Sequence, residues 1–150
     1  MIDDGLIMRS LQLLDSDILT EIWSDPKVTQ FLPSRGAAIP PDKVKKSLQS
    51  FVEHWEERGY GIWAIINKDS DKMIGYCGLR YLDKLEEVEL LYGLAKAYWG
   101  RQIITKAASA SISFGFEVAK LETIIAMVLP ENHASKRVIE KLGFSYQKQI

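Results

Sequence analysis

Residues 88–108 read Val88-Glu89-Leu90-Leu91-Tyr92-Gly93-Leu94-Ala95-Lys96-Ala97-Tyr98-Trp99-Gly100-Arg101-Gln102-Ile103-Ile104-Thr105-Lys106-Ala107-Ala108. The opening part, residues 88–94, alternates and is rich in strand formers. The closing part, from Ile103, begins a helical pattern that continues to about Phe116. An aromatic and basic turn ending in Gly100 lies between them. A strand that feeds a helix N-terminus through a tight turn gathers free N–H groups and the positive end of the helix dipole at one place. That arrangement suits a phosphate. An ordinary crossover between two strands has the same outline, so the pattern alone leaves both readings open.

Bulk properties narrow the choice. A chain of 150 residues suits one domain with a real core. The composition, 47% hydrophobic and 26% charged, is that of an ordinary globular protein. A net charge of -1 gives no field that would gather nucleic acid or an anionic membrane. No apolar run approaches the roughly 20 residues that span a bilayer. The start, Met1-Ile2-Asp3-Asp4, lacks a signal-peptide pattern, and the single Cys77 cannot form an internal disulfide. Cytoplasm is the expected compartment.

Outward from the central stretch, residues 6–14 read as a first strand. Asp15-Ser16-Asp17 offers cap chemistry for a short helix through Trp23, which Asp25-Pro26 ends. Residues 28–32 suggest another helical turn, and residues 34–41 a loop. Pro41-Asp42 opens the clearest amphipathic helix, with Val44, Leu48, Phe51, Val52 and Trp55 at helical spacing and Gly59 as its stop. Residues 60–67 and 72–82 form a hairpin of strands, and Gly75 and Gly78 suggest close backbone approach or a bulge. Cys77, between them, has no basic neighbourhood and reads as a small packed side chain. Residues 123–129 are continuously apolar, fit for a strand buried on both faces, and Pro130 ends them. Asn132 can cap a helix closed by Gly143, and Phe144 begins a last strand. The order β-α-α-β-β-β-α-β-α-β implies a mixed sheet with helices on both faces, an α/β (α+β) single domain over residues 1–150.

Val88-Glu89-Leu90-Leu91-Tyr92 followed by Tyr98-Trp99-Gly100 resembles the GNAT acetyltransferases, in particular the branch that acetylates ribosomal-protein N-termini. The stretch Pro130-Glu131-Asn132-His133-Ala134-Ser135-Lys136-Arg137-Val138-Ile139-Glu140-Lys141-Leu142-Gly143-Phe144 is similar to the same branch, as are Ile74-Gly75-Tyr76-Cys77-Gly78-Leu79 and Asp25-Pro26-Lys27-Val28. The resemblance implies acetyl-CoA held between two parallel strands that splay apart, here Glu87–Leu94 and residues 123–129. It puts the pyrophosphate on the turn formed by Trp99, Gly100, Arg101, Gln102, Ile103, Ile104 and Thr105. It has backbone N–H groups near Leu94 and Ala95 meet the pantetheine and the thioester carbonyl. It sets Asn132 against the cofactor chain and Ser135 near the sulfur.

The residue types agree with that chemistry. Backbone donors aimed at a carbonyl oxygen stabilise charge that develops there. A thiolate whose conjugate acid has a pKa of about 8.5 gains from a nearby hydroxyl donor. Glu89 is the candidate base, acting directly or through water on an amine. An α-amine of pKa about 7.7–8.0 needs less help than a lysine-like amine near 10.4. Glu89 also reads as a plain exposed strand carboxylate, Asn132 as only a cap, and Ser135 as a surface hydroxyl. His54 and His133 fall in separate helices without companion ligands, so no metal is expected.

This chain departs from the family at definite places. Gln102 stands where the family usually has glycine, Ile104 where it has glycine or alanine, Lys106 where glutamate is common, and Leu91 where glycine is common. Glycine lets a pyrophosphate approach the backbone and relieves unusual dihedrals. The family's final strand, which pairs with the one after Phe144, is also expected to be missing. The leading expectation is therefore an acetyl-CoA-dependent N-acetyltransferase. The alternative is a GNAT-fold binding or assembly protein with a degenerate phosphate turn. The partners expected are a small-molecule amine or a peptide N-terminus, with a homodimer left open, and neither nucleic acid nor membrane.

Overall fold

Alternation along one central strand sorts the core into two layers. In Ile62–Asn67, Ile62, Ala64 and Ile66 join a buried cluster with Leu19, Ile22, Val44, Leu48 and Phe51. Trp63 and Ile65 point the other way and join Leu79, Val88, Leu90, Leu94, Ala107 and Ala108. This period of two lets one strand serve both faces. The computed structural model describes residues 2–3 and 6–147. Among them, β1 (Ile2–Asp3), β2 (Leu6–Ser10), β3 (Ile62–Asn67), β4 (Lys72–Leu82) and β5 (Glu87–Leu94) form one sheet in that order, each neighbouring pair antiparallel. The helices are α1 (Ser16–Ile22), α2 (Pro26–Thr29), α3 (Pro41–Arg58), α4 (Ile103–Glu117) and α5 (His133–Lys141). The first three belong to one side of the sheet, and α4 packs on the other. No helix among the described residues is long and apolar enough to cross a membrane.

Local chemistry sets most boundaries. Gly59 ends α3 at φ 74, a left-handed conformation glycine adopts at little cost. Asp25 caps α2 by accepting from the Lys27 N–H at 2.9 Å, with Pro26 at the first helical position. Gly75 meets its expected close approach: a Cβ there would fall 2.5 Å from the Gly93 carbonyl oxygen. The β3–β4 register shifts between Ile65 and Ile66, opposite the same stretch. Cys77 is fully buried against Ser111, 3.5 Å away, and burial pushes its thiol up to about 12. It is packing, as expected.

Two expected strands are absent. Residues 123–129 form no strand and touch β5 in a single parallel bridge, Glu89 to Ile125. The bridge consists of Leu90 N–H to Ile125 O and Ile125 N–H to Val88 O, both 2.8 Å. The direction is parallel, but the pair of splayed parallel strands is not formed, and the sheet is antiparallel rather than mixed. Apolar composition reports a tendency to burial, whereas a strand needs ladder partners. Here one bridge supplies them, and Met127 stays 47% exposed. Residues 144–147 likewise carry no strand, and the rest of that expected strand, residues 148–150, lies outside the described residues. At the other end, β2 stops at Ser10 instead of reaching residue 14, and Leu13–Asp15 is a short 3-10 turn. Asp15 drives that change: buried, it accepts from the Gln12 N–H at 2.8 Å and from both Arg9 terminal nitrogens at 2.7 and 2.9 Å.

His54 stitches α3 to the sheet where β3 has not yet begun. The Tyr81 N–H donates to its Nε2 at 2.9 Å, so the ring proton sits on Nδ1, which faces the Tyr60 carbonyl at 2.9 Å. The ring must be neutral to accept from Tyr81. Burial lowers its pKa, opposed by the Tyr60 carbonyl; Arg58 and Arg80 lower it further and Glu57 opposes them. A depressed histidine adds stability that is complete above the ordinary value near 6.5 and is lost as pH falls toward the folded value. Replacing His54 by alanine should cost about 1–3 kcal/mol at pH 7, because the Tyr81 N–H loses its acceptor. It should also flatten the loss of melting temperature between pH 7 and pH 5. Thermal melts of both proteins across that range check this, and parallel slopes would remove the neutral ring from the account.

Candidate functional site

Along β5, hydrogen bonds alternate between its two edges. Ala95, just past the strand, donates to Ile74 O at 2.8 Å on the β4 side. The even residues turn their N–H and C=O groups to the opposite edge, where Val88 and Leu90 bond Ile125. The ladder stops there. Among the described residues, no backbone bond joins Tyr92 or Leu94 to residues 126–130. The N–H groups of Tyr92 and Leu94 thus face a seam. The Ala95 N–H, expected as a donor, is committed to Ile74 and faces away. The Leu94 carbonyl accepts from Trp99 Nε1 at 2.8 Å, folding the half-exposed indole back over the strand end.

The turn that follows leads into α4. Gly100 takes φ 79 and Gln102 takes φ 62, ψ 14, both left-handed. Gln102 is therefore a side-chain-bearing residue in a conformation that costs non-glycine residues about 1–2 kcal/mol. Its amide oxygen accepts from Lys141 Nζ at 2.8 Å, tying this turn to the end of α5. Arg101 is exposed with its guanidinium 5.4 Å from the Tyr98 ring centre. Ile103, Ile104 and Thr105 form the first helical turn, whose N–H groups have no earlier carbonyl within the helix. Ile103 and Ile104 pack against the α4-side core, so the Ile104 side chain does not narrow the turn. Of the two departures from the family's small residues, Gln102 is the one that takes a left-handed backbone at the turn.

Asn132 caps α5, its Oδ1 accepting from the Ser135 N–H at 3.2 Å. That bond fixes the first turn of the helix and presents Ser135 toward β5, where its hydroxyl meets the Tyr92 hydroxyl. Tyr92 and Ser135 meet on the α4 face of the sheet. Glu89 lies on the other face, beside Leu91. It is 4% exposed, not an exposed strand carboxylate, and its Oε1 accepts from Arg80 at 2.5 Å. Arg80 and Glu89 are register partners across β4 and β5, the arrangement that brings opposite charges together in a sheet. The fold thus joins Tyr92, Leu94, Asn132, Ser135 and residues 99–105 on one side, and sets Glu89 across the sheet plane.

Tyr92 and Arg80 were not singled out by the sequence. Alternation could have placed Tyr92 on the face of Leu90 and Leu94. Nothing local says that the first turn of α5, 43 positions on, lands against its hydroxyl. Burial pushes the Tyr92 phenol above its ordinary value, and its bond with Ser135 opposes this.

This arrangement is similar to known proteins over most of its length. Residues 5–145 match the model of the acetyltransferase (GNAT) domain. The N-acetyltransferase p20 of Bacillus licheniformis, itself uncharacterized, is 31% identical over 145 residues, covering 94% of this chain and 79% of p20. A GNAT-family acetyltransferase from Bacillus anthracis superposes with TM-score 0.81 at 22% identity, over 95% of this chain and 81% of that one. RimL, the ribosomal L7/L12 alpha-N-protein acetyltransferase solved with coenzyme A, superposes with TM-score 0.80 at 16% identity, over 99% of this chain and 84% of that one. With a family match running almost end to end on an α+β fold of this architecture, the chain belongs to the GNAT acetyltransferases and is an N-acetyltransferase.

Proposed function

We propose that this chain moves an acetyl group from acetyl-CoA to a primary amine, a peptide N-terminus or a small-molecule amine, by direct attack on the thioester. One observation carries the reading: the β5 edge loses its ladder after Leu90, leaving the Tyr92 and Leu94 N–H groups without a ladder partner among the described residues, while the Tyr92 hydroxyl meets Ser135. Bound acetyl-CoA supplies an acetyl group on a thiol leaving group. The residues present fit such a ligand. The Tyr92 and Leu94 N–H groups donate to an oxygen that gains charge in the transition state. Ser135 donates to the leaving sulfur. Asn132 holds Ser135 in place and borders the ligand chain. Gly100, Arg101 and the first-turn N–H groups of Ile103, Ile104 and Thr105 hold the pyrophosphate, helped by the helix dipole. Trp99 and Gln102 flank it.

Glu89 serves the amine from the opposite face. Arg80 takes Oε1, which fixes the carboxylate, and Oε2 receives a proton directly or through water. The amine therefore enters from the side of α1 and α3 while acetyl-CoA occupies the side of α4 and α5. Separate approaches suit direct transfer, since both reactants must be present at once.

Calorimetry with acetyl-CoA, followed by an amine panel with detection of released thiol, tests the reading; absence of binding to either acetyl-CoA or CoA would refute it. Glu89→Gln should lower turnover most at low pH, where more of the amine is protonated, and a loss independent of pH would make the residue structural. For the phosphate turn, an ordinary helix position would lose up to about 1 kcal/mol on gaining glycine. At φ 62 glycine also relieves the left-handed strain of about 1–2 kcal/mol, which outweighs its backbone entropy and the exposed hydrogen bond to Lys141. Gln102→Gly should thus raise the melting temperature of the ligand-free protein by roughly 1–3 °C. It should also tighten CoA binding by opening the backbone to phosphate. A lower melting temperature would show that the Lys141 bond and glycine's backbone entropy together outweigh the strain.

A further inference from the structure

The contact between Tyr92 and Ser135 holds more than packing. A serine hydroxyl has one proton and two acceptor sites, and a phenol likewise donates or accepts. Two arrangements are open. Ser135 gives its proton to the phenol oxygen and has none left to offer, or Tyr92 gives its proton to Ser135 Oγ and frees the serine proton. The surroundings favour the second. The Asn132 side-chain oxygen already accepts from the Ser135 N–H. Tyr92 is largely enclosed, and its hydroxyl finds no other partner among the described residues. A half-buried phenol that donates to Ser135 Oγ leaves the serine proton free for another acceptor.

We propose that Tyr92 is a positioning residue: by donating to Ser135 Oγ it turns the serine proton toward the leaving sulfur. The inference rests on Ser135 standing beside that sulfur, as argued under the proposed function. No proton leaves either side chain. Tyr92 and Ser135 hold a chain of two hydrogen bonds whose last link meets the charge that sulfur takes up as the carbon–sulfur bond breaks. Polarised in sequence, the two bonds strengthen each other.

An equilibrium measurement tests this without knowing the amine. The ligands are CoA and desulfo-CoA, which lacks the sulfur, measured by calorimetry at pH 9, where a thiol of pKa about 8.5 is largely thiolate. A hydrogen bond to a charged group predicts that the full chain prefers CoA by about tenfold or more. Ser135→Ala should abolish the preference. Tyr92→Phe should remove most of it while leaving desulfo-CoA affinity unchanged, and the double variant should match Ser135→Ala, since Tyr92 acts only through Ser135. If Ser135→Ala keeps the preference, or the parent has none, Ser135 does not stand by the sulfur and the reading beneath the inference fails. If Ser135→Ala loses it and Tyr92→Phe keeps it, the positioning role is overturned alone. Equal weakening of both ligands by Tyr92→Phe would make Tyr92 a mere support and overturn it as well.

Discussion

A strand can spend its backbone hydrogen bonds on two edges, and β5 spends one edge completely and the other hardly at all. Its odd residues face β4 along a continuous antiparallel register from Glu87 to Leu94. Its even residues face the other edge, where one bridge at Ile125 closes the ladder and then releases it. Unpaired N–H groups inside a fold are costly, so this edge is either wet or meant for a ligand. Apart from Glu89, which lies across the sheet plane, the groups assigned to catalysis gather along that released edge or at its ends.

The packing around β5 holds the edge in position. Leu90 and Leu94 lock into the layer beneath α4, and Leu91 packs into the layer beneath α1 and α3. Gly93 is required between them because a Cβ there would strike the Tyr76 ring. The Tyr76 hydroxyl, on β4, accepts at 3.0 Å from Nε1 of Trp23, the residue that follows α1, which fixes the ring that Gly93 accommodates. Fully burying a large apolar side chain contributes about 1.5–3 kcal/mol, several times a surface ion pair. The strand is thus fixed by its core contacts, and charged pairs such as Arg35 with Glu131 only trim the periphery.

Charge enters sparingly and at specific points. Arg80 neutralises Glu89 across the strand pair, which lets a carboxylate stay inside the sheet face. The α4 N-terminus adds the positive end of a dipole, and Arg101 adds an exposed guanidinium beside it. Gln102 is the local exception. Left-handed geometry without glycine is a small strain, and Lys141 offsets part of it.

The sequence by itself determined the local elements and the family. Periodicity placed β4, β5, α3 and α4 within a residue or two, because each carries its own apolar spacing, cap or glycine stop. Asn132 was legible as a cap for the same reason. It also placed Gln102 where glycine belongs, and the left-handed φ there gives the physical content of that departure. Only tertiary structure decided what meets what. Residues 123–129 were apolar enough for a strand, yet strand formation depends on a partner edge that no local pattern encodes. Glu89 read both as a candidate base and as an exposed strand carboxylate, and its burial beside Arg80, its partner across β4 and β5, removes the second reading. Tyr92 was one aromatic in an alternating run until α5 brought Ser135 to its hydroxyl. Spacing along a chain fixes which face a side chain takes, and distant packing fixes what waits on that face.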